Sequence, residues 1–178
     1  MTLFRVLYLD LNSAFASIEQ QLDPSLRGRP VAITAVDSDA SACVAASYEA
    51  KAYGIRTGTR VAEACRLCPH IIFRPSRHRL YVRYNLAVAD VLDRHAELTH
   101  IRSVDEFQLA LSGPAETLDG AEDLVRRLKS AVATEVGVPM SLKFRLAGIL
   151  VKYDALLSPP PARAGFKLAH RFVRQTKN

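Results

Sequence analysis

Three carboxylates stand next to apolar segments, where a charge needs a partner. Asp10 follows the apolar run 3–9, and Asp105 and Glu106 lie between two later apolar segments. A buried carboxylate must be paired or must bind a metal. Carboxylate oxygens suit Mg²⁺, and two such ions about 4 Å apart can activate an attacking hydroxyl and stabilise a leaving pyrophosphate. The alternative is that Asp10 caps a helix and the other two occupy a turn, and spacing alone leaves both open.

Apolar periodicity predicts the elements that position these carboxylates. Strands are predicted at 3–9, 31–36, 42–47, 71–75, 98–102 and 106–112. Helices are predicted at 13–22, with Ser13 as its N-cap, and at 49–54, 59–69, 78–96 and 117–136. The apolar segment 139–151 is compatible with strand, helix or both. Helices alternating with strands indicate an α/β or α+β sheet covered by helices, with a small inserted lobe at about 25–75.

Composition indicates a globular protein of one domain or two small lobes. The chain has 178 residues, of which 49% are hydrophobic and 24% charged, so we exclude a disordered protein. A run of about 18 apolar residues is missing, which excludes a membrane-spanning helix. The N-terminus lacks a signal-peptide core, and three cysteines fit reduced thiols. We therefore predict a cytoplasmic protein with no membrane partner.

The positive charge is concentrated in one part of the chain. Residues 1–139 carry 16 Lys and Arg against 17 Asp and Glu, whereas residues 140–178 carry 8 against Asp154 alone. Such a basic segment is typical either of phosphate-backbone binding or of a solvated tail. Charge alone leaves these two interpretations open.

Five segments resemble motifs of the Y-family translesion DNA polymerases, especially the bacterial UmuC/DinB/ImpB-like members. Their order and spacing agree with that family over roughly residues 3–142. The segments are LYLDLNSAFASIEQ (7–20), DPSLRGRPVAI (23–33), ASYEAKAYGIRTG (46–58), ACRLCP (64–69) and SVDEF (103–107).

This resemblance implies the N-terminal palm and fingers part of such a polymerase, with a palm-type mixed sheet covered by helices. The palm would comprise residues 1–24 and 76–157, and the fingers residues 25–75. The composition of residues 158–178 indicates a basic, Pro- and Arg-rich tail that is compatible with disorder. The resemblance further implies a truncated chain without the thumb and little finger.

The resemblance also implies a metal site. Asp10, Asp105 and Glu106 would be catalytic and would hold two Mg²⁺, for which Mn²⁺ can substitute. The backbone carbonyl of Leu11 would be a further ligand. The implied reaction is template-directed nucleotidyl transfer in translesion synthesis and DNA repair.

Four further residues match nucleotide-binding positions of the family. Phe15 matches the steric gate that excludes a ribose 2′-hydroxyl, although a Phe at this spacing is also compatible with a core residue. Tyr48 and Lys51 match the pair on the triphosphate. Because the family usually has Arg at the second position, Lys51 keeps the charge but loses the bidentate fork. Lys152 matches a further triphosphate contact.

The implied partners are primed template DNA and a dNTP, with a sliding clamp or other repair polymerase subunits. The match weakens after about residue 142, where Lys143, Ala147, Gly148 and Pro159 replace family residues. This pattern suggests a degenerate or out-of-frame segment, or else a divergent tail with a helix at 166–174. The alternative function is therefore a non-catalytic protein that keeps the polymerase fold and binds DNA or a partner.

A cysteine pattern and an arginine–tyrosine pattern can each be explained either by a functional site or by ordinary packing and solvent exposure. Cys65-x-x-Cys68 with His70 is typical of half a zinc or redox site, which Cys43 or His78 could complete. We favour buried thiols, because the polymerase motif accounts for Cys68. A second group interleaves arginines with Tyr81 and Tyr84, as in nucleic-acid surfaces, and we expect both tyrosines to pack inward. These arginines are Arg74, Arg77, Arg79 and Arg83.

Overall fold

A computed structural model describes residues 3–146 and 149–153, with side chains described from residue 3 to residue 139. The helices are α1 (Ala14–Leu22), α2 (Tyr48–Ala52), α3 (Val61–Leu67), α4 (His78–Asp93) and α5 (Leu118–Glu135). The strands are β1 (Val6–Leu11), β2 (Val31–Thr34), β3 (Cys43–Ala46), β4 (Ile72–Pro75), β5 (Leu98–Ile101), β6 (Glu106–Ala110), β7 (Met140–Leu146) and β8 (Ile149–Tyr153). Short 3₁₀ turns cover Pro24–Leu26 and Gly113–Glu116.

The larger sheet has five strands in the order β5-β6-β1-β7-β8, and every neighbouring pair is antiparallel. The central strand is β1, whose burial alternates along its length. Leu7, Leu9 and Leu11 are fully buried, whereas Tyr8 and Asp10 on the opposite face are half-buried. This alternation follows from the two-residue period of a strand. One face of the sheet therefore supports the core, and the other carries Asp10.

Helices α4 and α5 pack against each other and belong to the core on the leucine face of β1. Each helix has one apolar side, as a 3.6-residue period requires. Their buried residues include Tyr81, Val88 and Leu92 on α4, and Leu124 and Leu128 on α5. Since α1 also contacts α4, the N-terminal helix is fixed beside the sheet.

The smaller sheet has the order β3-β2-β4 and is mixed, because β2 pairs antiparallel with β3 and parallel with β4. All four residues of β2 are buried. Val31 and Ile33 belong to the main core, whereas Ala32 packs with the second core of this lobe, which includes Ile55. A strand buried on both faces joins the two lobes through continuous packing, since α1 contacts both β2 and β3.

The predicted elements are present with adjusted ends, and the fold class is α/β with a helix-covered sheet and a small second lobe. The segment 139–151 resolves into the hairpin of β7 and β8. Ser13 is the N-cap residue of α1 as predicted, although its side chain makes no capping hydrogen bond. The palm-type sheet is expected to be mixed, whereas all four described strand pairs of the larger sheet are antiparallel, and the mixed sheet is the smaller one. The predicted basic tail, residues 158–178, lies outside the described residues.

Among the helices that the structure describes, none is both long enough and apolar enough to cross a bilayer.

Candidate active site

The carboxylates of Asp10 and Glu106 lie on one face of the larger sheet. Asp10 on β1 stands directly opposite Glu106, the first residue of β6. Opposed residues of an antiparallel pair share a face, with Cβ atoms roughly 5 Å apart. The backbone N–H of Leu11 donates to the carbonyl oxygen of Asp105 at 2.8 Å. This bond extends the pairing by one residue and brings Asp105 to the end of β1.

The loop between β5 and β6 holds the side chain of Asp105. The Ser103 hydroxyl donates to Asp105 Oδ1 at 2.6 Å and accepts the backbone N–H of Glu106 at 3.1 Å. Such a serine turn orders a short loop locally. The Asp105 carboxylate is thereby held in place by its own loop.

Asp10 and Asp105 line one cleft, with a volume of about 230 Å³, between the two sheets. Its wall is shared by the start of α1, through Ser13 and Phe15, and by the smaller lobe, through Lys51. The remaining lining residues are Leu11, Ala14, Val44, Ala45, Ala46 and Thr57. Two carboxylates and an ammonium group in one cleft suit a ligand that carries phosphates and binds together with cations.

The donor set fits magnesium bound partly by the protein. Within residues 3–146 and 149–153, no three His, Cys, Asp or Glu side chains lie close enough to form a complete metal cage. Mg²⁺ needs no such cage, because it keeps several waters and is held by one or two carboxylates plus substrate phosphates. Asp10 and Asp105 are two such carboxylates in one cleft, and exposed Glu106 lies opposite Asp10 in the sheet, outside the lining of the cleft.

The ring of Phe15 is half-buried and stacks on Tyr81 of α4, with centroids 4.3 Å apart and planes at 12°. Offset stacking of this kind adds to the packing energy of both rings. Phe15 therefore lines the cleft from a fixed position. The expected inward packing of Tyr81 is confirmed, since its side chain is fully buried.

A buried carboxylate supports this ring pair from behind. Glu19 on α1 is only 1% exposed and accepts the Tyr81 hydroxyl at 2.9 Å, while Arg77 donates to it through Nε at 3.0 Å and through Nη2. A buried charge is stable only with such partners. Burial, together with this carboxylate, raises the pKa of Tyr81 to about 12. The hydrogen bonds to Glu19 also raise the pKa of Arg77.

Lys51 bridges the two walls of the cleft. Its Nζ donates to the Ser13 hydroxyl at 2.8 Å and lies 5.3 Å from the ring centroid of Tyr48 on the same helix, α2. Ser13 has φ 48° and ψ 42°, a left-handed conformation that is uncommon for a residue other than glycine. This conformation accounts for the missing cap, because it turns the backbone sharply between β1 and α1.

Five of the predicted site positions line this cleft: Asp10, Leu11, Phe15, Lys51 and Asp105. Two more lie next to it, Tyr48 through its contact with Lys51 and Glu106 through its pairing with Asp10. Lys152 lies apart from these residues in the strand order of the larger sheet. It belongs to β8, where its backbone stands opposite Lys143 of β7, and β8 is two strands away from β1.

The cysteines of the C-x-x-C pattern lie in different environments. Cys65 is exposed, whereas Cys68 is buried, with its Sγ 3.6 Å from His70 Nε2. Cys43 is buried in β3, and this burial raises the pKa of its thiol. Cys43 and Cys68 thus belong to the core of the smaller lobe, which confirms the prediction of buried thiols for these two, whereas the same prediction is wrong for Cys65.

Half of the arginine group takes part in ion pairs. Arg74 pairs with Asp23 at 3.2 Å, and Arg77 pairs with Glu19. Arg79 and Arg83 are exposed on α4. The structure therefore assigns an internal partner to two of the four arginines.

Sequence reasoning missed two buried polar residues behind the site, Glu19 and Asn85. Glu19 follows Phe15 by four residues and so shares its helix face, and a charge on an apolar face is a usable signal. Asn85 is buried on α4 and donates to the loop before Asp105. Its signal is weaker, because a single Asn on a helix is equally compatible with solvent exposure.

Comparisons with known proteins agree on one family. Residues 9–142 match the model of the impB/mucB/samB family. The chain is 39% identical over 157 residues to DNA polymerase IV of Moorella thermoacetica, covering 87% of this chain and 39% of that protein. It is 31% identical over 137 residues to DNA polymerase IV of Neisseria meningitidis serogroup B, covering 77% and 43%. The chain thus spans about two fifths of the length of these curated relatives.

Solved structures give the same fold. DinB from Sulfolobus solfataricus matches with a TM-score of 0.73 at 22% identity, over 79% of this chain and 42% of that one. An insertion ternary complex of Dbh DNA polymerase matches with a TM-score of 0.74 at the same identity and coverage. The two sheets and their helices therefore correspond to part of a polymerase fold.

Proposed function

We propose, because this chain belongs to the impB/mucB/samB family, that it forms the catalytic palm and fingers of a Y-family DNA polymerase. The reaction is template-directed transfer of a deoxynucleotide to a primer 3′ end, in translesion synthesis and DNA repair. The single observation that carries the proposal is the cleft that Asp10 and Asp105 share with Phe15 and Lys51. Three free thiols fit a cytoplasmic protein.

We assign residues 1–24 and 76–157 to the palm and residues 25–75 to the fingers. The five-stranded sheet falls in the first set and the three-stranded sheet in the second, which supports this division. The packing of β2 against the main core would hold the two parts together.

Asp10, Asp105 and Glu106 would hold two Mg²⁺, with the Leu11 carbonyl as a further ligand. When bound, Mg²⁺, or Mn²⁺ in its place, would lower the pKa of the attacking primer hydroxyl and offset the charge of the leaving pyrophosphate. The antiparallel pairing of β1 and β6 supports this role, since it fixes Asp10 and Glu106 on a shared face before any ligand arrives.

Lys51 and Tyr48 would bind the triphosphate from the fingers, with Lys152 as a further contact. The ammonium group of Lys51 would give up its hydrogen bond to Ser13 and donate one to a phosphate oxygen instead, acting as a single point charge. Phe15 would occupy the space that a ribose 2′-hydroxyl needs. Its stacking on Tyr81 supports this role, because a ring that cannot swing away excludes the hydroxyl more strictly.

Single-nucleotide primer extension at low salt, with Mg²⁺ or Mn²⁺, tests the proposal. We expect the 178-residue chain to extend a primer by the templated deoxynucleotide. Low salt is required because backbone contacts weaken steeply as salt rises.

The matched control is the double variant Asp105→Ala/Glu106→Ala, purified in parallel to exclude a contaminating polymerase. Extension that persists in this variant, or no extension by a folded wild-type chain, refutes the catalytic proposal. Retained DNA binding without extension would favour the alternative, a polymerase-like protein that only binds DNA.

A further inference from the structure

Asn85 is a buried polar side chain that contacts the loop between β5 and β6. It lies on α4, is 6% exposed, and donates from Nδ2 to two consecutive backbone carbonyls. The acceptors are Ser103 O at 3.2 Å and Val104 O at 2.9 Å. One side chain of the helix layer is therefore bonded to the two peptide groups that precede Asp105.

The same loop is bonded on its other side to β1. The Leu11 N–H donates to Asp105 O at 2.8 Å, so three successive carbonyls, from residue 103 to residue 105, each accept a hydrogen bond from outside the loop. Two of the three bonds come from Asn85. Without them, the loop would keep the Leu11 bond, its internal Ser103 bonds and the bonds from the Arg102 and Ser103 N–H groups to the Glu106 carbonyl.

The amide is well matched to this task. Carbonyl oxygens only accept, and a side-chain amide carries two N–H donors on one nitrogen, so the Nδ2 end must face the loop. Aspartate has nearly the same shape but offers no donor and would place a charge against two carbonyl oxygens. Serine offers a single, shorter donor. Asn85→Ser therefore weakens the contact with the loop, and Asn85→Asp removes it and adds a repulsive charge.

We propose that Asn85 is a positioning residue for the metal-binding carboxylates. It acts through the loop, holding Asp105 and Glu106 at the end of β1 where Asp10 lies, and it touches neither substrate nor metal. This inference rests on the proposed function of the carboxylates. It adds a support from helix α4 to the geometry that β1 and β6 provide.

The test compares Asn85→Ser and Asn85→Asp with wild type in the full chain. Val88→Ala is the matched control, because Val88 lies one turn further along α4, is fully buried, and belongs to the core without contacting the loop by a hydrogen bond. Three readouts are taken: amide hydrogen exchange in the metal-free protein, Mn²⁺ binding measured by electron paramagnetic resonance, and kcat and KM for single-nucleotide extension.

We expect faster exchange of the Leu11 and Glu106 amides in both variants, more so in Asn85→Asp, together with weaker Mn²⁺ binding. The kcat should fall by up to roughly 100-fold, as displacement of a reacting group by about 1 Å can cause, while KM for the dNTP changes much less. Val88→Ala should lower the melting temperature but leave loop exchange and Mn²⁺ affinity as in wild type.

Unchanged loop exchange and Mn²⁺ affinity in both variants would overturn the inference, as would an equal loss in Val88→Ala. If Asn85→Asp does not fold, Asn85→Ser alone decides. A wild-type chain that extends no primer refutes the proposed function, whereas exchange and Mn²⁺ binding still decide the role of Asn85.

Discussion

Replacing Tyr81 by Phe should remove part of the alkaline destabilisation of this protein. The variant keeps the ring that stacks on Phe15 and loses only the hydroxyl that donates to Glu19. At neutral pH the lost hydrogen bond to a charged acceptor should cost about 2 kcal/mol of unfolding free energy. The informative result is how this difference changes with pH.

The folded protein raises the pKa of Tyr81 from 10.0 to about 12, mainly by burial. A raised pKa means that the folded state holds the proton more tightly than the unfolded state does, so stability falls as pH rises between those two values. The stabilisation that results from the raised pKa of Tyr81 is fully present below pH 10. Two pKa units correspond to about 3 kcal/mol, lost progressively between pH 10 and pH 12.

Denaturant unfolding of wild type and Tyr81→Phe from pH 8 to pH 12 measures the difference in their unfolding free energies. We expect the stability advantage of wild type over Tyr81→Phe to be constant up to pH 10 and to shrink and then reverse above it. Tyr53→Phe is the control, because it removes a phenol of an exposed residue whose hydroxyl lies 3.5 Å from His70 Nε2. A difference between wild type and Tyr81→Phe that stays constant up to pH 12 would refute the reasoning.

Three further substitutions test other parts of the structure. Phe15→Ala should lower the preference for deoxy- over ribonucleotides at least roughly tenfold, the effect of removing about 1.4 kcal/mol of steric exclusion; competition between the two nucleotides measures it. Lys51→Arg should lower KM for the dNTP by roughly threefold, since one added exposed hydrogen bond contributes about 0.6 kcal/mol. Gly120→Ala should cost about 1–3 kcal/mol of stability, because its Cβ would lie 1.9 Å from the Pro114 carbonyl oxygen.

Each of these has a control or a contrary result. An unchanged nucleotide preference in Phe15→Ala would mean that the ring is only a core residue. A higher KM in Lys51→Arg would mean that the bond to Ser13, not phosphate geometry, governs this position. Arg127→Ala, at an exposed site of the same helix, should leave the melting temperature nearly unchanged, and a Gly120→Ala variant equally stable would contradict the close approach.

The strands and the carboxylates were predictable because both depend on local pattern. The apolar run before Asp10 indicates a buried strand, and the segments on either side of Asp105 indicate a second and a third. Periodicity does not specify pairing partners, so the register that places Asp10 opposite Glu106 came from the structure. The segment 139–151 is ambiguous for the same reason, since its strands depend on pairing with β1 and with each other.

The supports behind the site were not predictable from local pattern. Glu19 meets Arg77 and Tyr81 across 58 and 62 residues of chain, and Asn85 meets the loop across 18 and 19. Such contacts depend on how α1 and α4 pack, which tertiary structure decides. The left-handed Ser13 is likewise imposed by the turn between β1 and α1 rather than favoured by serine itself.

The central position of β1 also sets an order for folding during synthesis. Asp10 pairs with residues that follow it by 96 and 131 positions, so β1 gains its second neighbouring strand only after β7 has been synthesised. At translation rates of about 5–20 residues per second, β1 remains without its neighbouring strands for on the order of 10 s after it has been made. The nascent chain therefore carries β1 without its neighbouring strands until residues 96 and 131 positions further along have been made, and its yield in a cell should depend on chaperones that cover such segments.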